Sequence, residues 1–395
     1  MTRPKILSVF NRYLQYGGEE TMAKTMAETL RSIANVHEYN YSTEEWLSKG
    51  KLTAPLRGLH NKQVIGELKQ LHAEHQFDCW LIHNVFPGMS PSVYSLVQKL
   101  QVPVIHILHN YRFGCLNGLL FRNEHECQEC PQKGNFLPGI RHKCWNGNYI
   151  TSLFSAIFQL KARHSGILHY AQFVALSHKQ AELLISLGIP KEKLHIIPLF
   201  VDTYKEPYTP PPADGHILFI GRLSPEKGLL PVLEAWKDIH TSRQLIIAGD
   251  GPQREELENY VSQHHLTNVI FKGFVPKEQQ QELWDKTTAY ISPSLCHEAG
   301  ATAILEALGR GRPVIAYAKG AACDHIANPM HGWLMNPDDP NSLKQTLHSI
   351  LQMSSEQLEQ MGHTSREFTK INHSAKTWIN LLAKILHHQN VQLSK

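Results

Sequence analysis

Apolar positions along the chain come in short continuous runs. Each run is followed by a stretch in which they recur every three or four residues. In the first half the runs are Ile6 to Phe10, Cys79 to His83, Val104 to His109 and Phe173 to Leu176. Helical patterns such as Glu20 to Ile33 and Ser90 to Leu100 lie between them. A short run without alternation predicts a strand buried on both faces, and a helix must then carry the chain back to a parallel neighbour. The pattern breaks at residues 202–212, where Pro210, Pro211 and Pro212 can continue neither a helix nor a central strand. It restarts with Ile217 to Ile220, Gln244 to Ala248, Val269 to Gly273, Ala289 to Ser292 and Pro313 to Ala316. The architecture this predicts is α/β: two doubly wound parallel-sheet domains in series, with a cleft between them. A last helical pattern, Ser365 to Ile385, either caps the second domain or crosses back onto the first.

Composition changes this picture little. A chain of 395 residues is too long for one ordinary core. The hydrophobic share of 42% is that of a globular enzyme, and a net charge of +4 is too small to mark a nucleic-acid binder. The 25 histidines form no tract. The run at Ile6 is too short for a signal peptide, and no stretch reaches the roughly 18 apolar residues of a membrane span. These features predict a cytoplasmic protein whose seven cysteines are reduced or metal-bound.

The candidate chemistry sits in turns that follow strands, where parallel sheets bind ligands. Gly221-Arg222-Leu223-Ser224-Pro225-Glu226-Lys227-Gly228 places two cations in one turn. Arginine grips a phosphate through two parallel N–H bonds and lysine adds a point charge. Gly249 and Gly251 bracket Asp250 in the next turn, and Gly273-Phe274-Val275-Pro276 could read a nucleotide base through its backbone. Either turn alone reads as an ordinary loop. Then Glu298-Ala299-Gly300-Ala301-Thr302 leads through Ala303-Ile304-Leu305 to Glu306. A helix starting near Gly300 or Ala301 offers free N–H groups to a diphosphate. Glu298 and Glu306 on either side can accept hydrogen bonds from sugar and ribose hydroxyls.

In the first half, Cys115, Cys127, Cys130 and Cys144 lie in a loop-like stretch over 115–144, two of them as Cys-x2-Cys. Four thiolates would close a structural zinc site, with His125 and His142 as substitutes; free thiols are the alternative. Arg122, Lys133, Arg141 and Lys143 make the same stretch basic, as a solvated face or an anionic contact. The segment Tyr149 to Arg163 carries Ile150, Leu153, Phe154, Ile157, Phe158 and Leu160, then Lys161. It reads as a buried helix of the first domain or as a helix lying on a membrane surface.

Taken together, these motifs resemble the retaining glycosyltransferases of family 4 (glycosyl transferases group 1), which have the GT-B fold of two Rossmann-like domains facing a cleft. Gly221 to Gly228 matches that family's G-R-L-x-x-x-K-G turn, Glu298 and Glu306 its E-x7-E motif, and Gly311-Arg312-Pro313-Val314 a following G-x-P-V. Gly320-Ala321-Ala322-Cys323-Asp324 departs from the usual G-G-x-x-E loop, and Ala299-Gly300-Ala301 from the usual residues after the first Glu, which affects the donor sugar. Gly17-Gly18-Glu19-Glu20 resembles the G-G-x-E loop, and His83-Asn84 and His109-Asn110-Tyr111-Arg112 match a subgroup with a four-cysteine loop.

The resemblance implies a hexosyl transfer from a nucleoside-diphosphate sugar to an acceptor hydroxyl, with retention and without a catalytic metal. No Asp-x-Asp motif sits at a metal–diphosphate position. It implies His109, Glu298, Arg222 and Lys227 as catalytic residues. Donor contacts would come from Gly17, Gly18, Gly249, Phe274, Val275, Ala299, Gly300, Ala301, Thr302 and Glu306 besides. Asn84, His109, Asn110 and Arg112 would bind a saccharide or lipid-linked acceptor. Domains are expected at 1–205 (acceptor) and 206–365 (nucleotide sugar), with 366–395 packing back on the first. The expected setting is polysaccharide or glycolipid assembly in the cytoplasm, at most peripheral to the inner membrane face, with no nucleic acid. Two other readings stay open. An epimerase on the same fold would convert donor without acceptor, and a non-catalytic module would bind sugar nucleotide or a partner without turnover.

Overall fold

The computed structural model describes residues 3–14, 17–50 and 53–391. The chain folds as two compact units. The first comprises Met1–Leu120, Cys127–Pro198 and Trp378–Lys395; the second comprises Phe121–Glu126 and Leu199–Thr377.

The sheet of the first unit has strands β1 (Lys5–Arg12), β2 (Asn35–Ser42), β3 (Cys79–Asn84), β4 (Val104–Ile107), β5 (Gln172–Ala175) and β6 (Leu194–Ile196). They lie in the order β2-β1-β3-β4-β5-β6, all parallel. The second unit has β7 (His216–Ile220), β8 (Leu245–Ala248), β9 (Val269–Gly273), β10 (Thr287–Ser292), β11 (Val314–Tyr317) and β12 (Gly332–Met335). Their order is β9-β8-β7-β10-β11-β12, again all parallel. Residues of β3, β4, β5, β8, β10 and β11 are all buried, as continuous apolar runs require. In each sheet the chain goes one way and then the other from one strand. The switch points lie between β1 and β3 and between β7 and β10, and ligands of such sheets bind outside the strand ends there.

Three sequence expectations need correction. The division falls at Pro198/Leu199, not after residue 205. The proline-rich segment is docked on the second unit. Buried Arg312 donates to the Trp284 carbonyl at 2.8 Å and to the Thr209 carbonyl and hydroxyl at 2.6 and 2.8 Å, and Val201 N–H reaches His373 O at 3.0 Å. The closing helical pattern is two helices, Ser355–Asn372 in the second unit and Ala375–His388, which from Trp378 onward belongs to the first. The cysteine stretch is not a bare loop. It contains a hairpin, Phe121–Arg122 paired with His125–Glu126, and short helices Glu129–Lys133 and Leu137–Arg141.

Candidate functional site

At the switch point of the second unit, the loops after β7 and β10 are fastened to each other. Gly228 has φ +67°, and a Cβ there would stand 2.1 Å from the Pro293 carbonyl oxygen, so only glycine fits. Leu295 N–H donates to Glu226 O at 2.9 Å. This clamp brings Lys227 Nζ to 2.7 Å from Glu298 Oε1, which Ser294 Oγ also contacts. Burial alone would raise the Glu298 carboxyl, but the Lys227 ammonium and the two hydrogen bonds outweigh it and the net shift is downward. Lys227 is shifted upward, its burial outweighed by Glu298. Both stay ionised near neutral pH. Arg222, in the same turn, is exposed, and its side chain has no hydrogen-bond or ion-pair partner among the described residues.

Glu306 lies one turn inside the helix Thr302–Gly309 and meets Lys277 Nζ at 3.0 Å. Buried Tyr290 ties the two glutamates to one place. Its hydroxyl donates to Ile220 O at 3.1 Å, and its phenol is pushed up by burial and then by the charges of Glu298 and Glu306. Ala301 caps that helix in a left-handed conformation, φ 42°, which a residue with a Cβ adopts only under constraint. No backbone acceptor among the described residues takes the N–H of Thr302 or Ala303. Ala299, Gly300 and Ala301 are buried around this turn.

The neighbouring turns close in from the other side. A Cβ on Gly249 would stand 1.8 Å from Gly221 O, and Gly249 N–H donates to Gly273 O at 2.7 Å. Phe274 is 77% exposed beyond that contact. The Val275 carbonyl, which the sequence offered as a base reader, already accepts from Gln280 Nε2 at 2.9 Å.

The switch point of the first unit is different in kind. His83 Nδ1 and His109 Nε2 are 3.1 Å apart, with the rings stacked at 5.4 Å. His106 bonds the Tyr94 hydroxyl at 2.9 Å. Burial lowers all three imidazoles, His83 well below its usual range, His106 to about 4 and His109 to about 3. They are neutral at pH 7. A cavity of about 30 Å³ borders them together with Asn110, Arg112 and Gln159. Asn84 already serves the fold, taking Phe86 N–H at 2.9 Å and donating to Asn11 O at 3.3 Å. Asn110 donates to Glu19 at 3.4 Å, and Arg112 lies 4.4 Å over the Phe86 ring. A side chain added at Gly17 or Gly18 would meet no described atom within 4 Å, so the space before this turn is open.

Known proteins match both halves. Residues 201–368 fit the family model of glycosyl transferases group 1, and residues 17–205 that of Glycosyltransferase Family 4. Both halves of the chain are glycosyltransferase domains. Relatives include a 2-deoxystreptamine glucosyltransferase of Streptomyces kanamyceticus, 27% identical over 42% of this chain and 43% of that protein. Another is an O-antigen chain mannosyltransferase C of Escherichia coli, 26% identical over 45% of this chain and 48% of that one. The chain spans about half the length of these curated relatives. Anabaena Alr3699/HepE, solved with UDP and glucose, superposes with a TM-score of 0.69 over 98% of this chain and 100% of that one, at 17% identity. The fold is GT-B.

The second unit, which includes the hairpin at 121–126, holds residues that local pattern did not single out. Glu126, from the hairpin, sits between His297 Nε2 at 3.1 Å and Lys319 Nζ. Burial raises its carboxyl, but Lys319 and His297 outweigh this and the net shift is downward. His297 Nδ1 takes Gly320 N–H at 3.2 Å, and Ala321 N–H donates to Glu298 O at 2.9 Å. Gly320, at φ +55°, leaves no room for a Cβ, which would stand 2.5 Å from Glu298 O. Glu126 therefore ties the loop that carries Glu298 to the loop of Lys319 and Gly320 packed against it. In the family 4 domain the missed residue is Glu19. One carboxylate oxygen is buried without a hydrogen bond, and burial pushes its pKa up to about 7 against the opposing Arg112.

The four thiols of the family 4 domain gather loosely. Burial first, and then the charges of Cys115, Cys144 and Cys127, raise the Cys130 thiol to about 12. Among the described residues, no group of three or more candidate ligands stands close enough to hold an ion.

Proposed function

We propose that this protein is a retaining glycosyltransferase, moving a hexosyl group from a nucleoside-diphosphate sugar to a saccharide or lipid-linked hydroxyl in polysaccharide or glycolipid assembly. One observation carries the reading: an ionised Lys227–Glu298 pair at 2.7 Å at the switch point of the group 1 domain, with Glu306 close enough that its charge, like that of Glu298, acts on buried Tyr290. Glu298 accepts from sugar hydroxyls, Glu306 from the ribose, and Lys227 and Arg222 meet the diphosphate. Negative charge grows on the leaving diphosphate as the glycosidic bond opens through an oxocarbenium-like state. Lys227, Arg222 and the free N–H groups of Thr302 and Ala303 are aimed at that charge, so the reaction needs no catalytic metal. Neutral His109, with Asn110 and Arg112, faces the acceptor. The relatives named for glucosyl and mannosyl transfer favour the same class of donor, as does the neighbour solved with UDP and glucose. The four cysteines would act as a structural zinc site only if metal draws them together.

The test is a screen of UDP-, GDP- and ADP-linked hexoses by thermal shift, followed by turnover with the donor that shifts most. Slow release of free sugar and nucleoside diphosphate, with retained anomeric configuration in any glycoside formed, is expected. Conversion of donor to an epimer, or no stabilisation by any sugar nucleotide, would overturn the proposal.

A further inference from the structure

The helix Tyr149–His164 is divided along its length. Ser152, Phe154, Ser155, Ala156, Phe158, Gln159 and Ala162 are buried in the first unit. Tyr149, Ile150, Leu153, Ile157 and Leu160 fall within about 100° of arc on the other side. Tyr149 is 55% exposed, Ile150 71%, Leu153 47% and Leu160 43%. Four of the large exposed apolar side chains among the described residues thus lie on one stripe of one helix. Scattered exposed leucines need no explanation, but a contiguous stripe does. The short helices Ala54–Leu59 and Leu137–Arg141 pack against this helix. They add Leu56 and Leu137, 72% and 69% exposed.

Charge says what covers this stripe. From Cys130 to Ala181 the sequence holds Lys133, Arg141, Lys143, Lys161, Arg163 and Lys179 and no Asp or Glu. Lys133, Arg141, Lys143 and Lys161 are exposed, whereas Arg163 is held by the Phe113 and Leu187 carbonyls and Lys179 pairs with Glu182. Lys143 Nζ lies 4.7 Å over the Tyr149 ring, and Lys161, next to Leu160, is exposed. Cations beside an apolar stripe suit a surface of anionic headgroups over hydrocarbon: the apolar side chains enter the acyl boundary and the lysines stay at phosphate level. No helix of the described residues is long and apolar enough to cross a membrane, so the contact is one of lying on the surface.

We infer that the helix Tyr149–His164 is a docking face for an anionic lipid bilayer, with Ile150 and Leu153 inserting and Lys143 and Lys161 contacting headgroups. The inference does not rest on the reaction proposed above.

Flotation of the full chain with phosphatidylcholine vesicles, with and without about one third phosphatidylglycerol, tests it. The chain is expected to float with the anionic vesicles at least about tenfold more than with the neutral ones, and to be released by salt near 0.5 M. Ile150→Asp with Leu153→Asp, positions whose exposure leaves the fold intact by melting temperature, should cut bound protein to about a tenth. Lys143→Gln with Lys161→Gln should lower it by a smaller factor and blunt the salt dependence. Equal flotation on both compositions, no flotation, or wild-type flotation of the double Asp variant overturns the inference. So does a concentration-dependent dimer that Ile150→Asp dissolves without any vesicle binding, which would make the stripe a contact between copies.

Discussion

The two switch points solve opposite electrostatic problems. In the group 1 domain, half-buried groups are kept charged: Lys227 and Glu298 neutralise each other. In the family 4 domain, burial works toward neutrality: three imidazoles are held unprotonated and the Glu19 carboxyl is pushed up to about 7, although Arg112 stands beside it. A charged site is prepared for a charged ligand and exchanges one ion pair for another when it binds. A neutral site is prepared for hydroxyls, because a buried unpaired charge would cost more than a sugar hydroxyl returns. On the function proposed above, the charged site takes the donor diphosphate and the other site the acceptor hydroxyl.

The largest effect expected from breaking this contrast is on the charged side. Lys227→Ala or Glu298→Ala should lower donor turnover by about 10²-fold or more, the scale of losing one donor aimed at developing charge. Glu298→Gln should recover part of the loss by keeping the hydrogen bonds. Near-normal rates in both folded alanine variants would remove the site. Glu126→Ala comes next. If Glu126 acts through Glu298, sugar-nucleotide affinity should fall by about tenfold while affinity for the bare nucleoside diphosphate barely moves. Equal losses for both ligands in calorimetry would make Glu126 merely structural.

On the neutral side the probe is pH. Glu19 has its folded pKa raised from 4.5 to about 7, so over that interval the folded state holds the proton more tightly than the unfolded chain. Its ionisation therefore costs stability as pH rises from about 4.5 to 7. Glu19→Gln should melt at or below the wild-type temperature near pH 4.5 and about 3 °C or more above it at pH 8. His83, His106 and His109 act the other way. Their folded pKa values are depressed, so stability is full above about pH 6.5 and falls as pH drops and only the unfolded chain takes protons. A Glu19→Gln melting profile parallel to wild type across this range would contradict the assigned burial. The smallest effect concerns the cysteines. If zinc orders the 115–144 stretch, chain purified without chelator should carry about one zinc per molecule, lost in Cys130→Ser. Metal-free wild type would leave four reduced thiols.

Much of the fold was legible because central strands must be continuous apolar runs. Ile6 to Phe10, Cys79 to His83 and Ala289 to Ser292 announce themselves for that reason. The strands that pattern missed, β2, β6 and β12, are edges. Residues 35–42 read Asn-Val-His-Glu-Tyr-Asn-Tyr-Ser, with a half-exposed face that looks like loop. The closing helices were read as one because His373 and Ser374 interrupt the pattern without Gly or Pro. At the site, Lys227 and Glu298 were visible because a turn and a helix start carry their own local signals. Glu126 was not, since its partner Lys319 lies 193 positions away and no local pattern encodes that distance. Glu19 sat in view inside a glycine turn, but what marks it is burial, which only the folded chain creates. The helix at 149–164 was read as either buried or membrane-facing, and the structure gives it one buried face and one exposed apolar face.

The central claim is that the Lys227–Glu298 pair holds a sugar nucleotide. Calorimetric titration of the best sugar nucleotide and its parent nucleoside diphosphate, into wild type, Lys227→Ala and Glu298→Ala, tests it most directly. The account predicts that wild type binds both ligands and favours the sugar nucleotide. Lys227→Ala should weaken both by about tenfold or more, and Glu298→Ala should abolish the preference while keeping the diphosphate. Unchanged affinities in both variants, or a wild type that binds neither ligand, would contradict it.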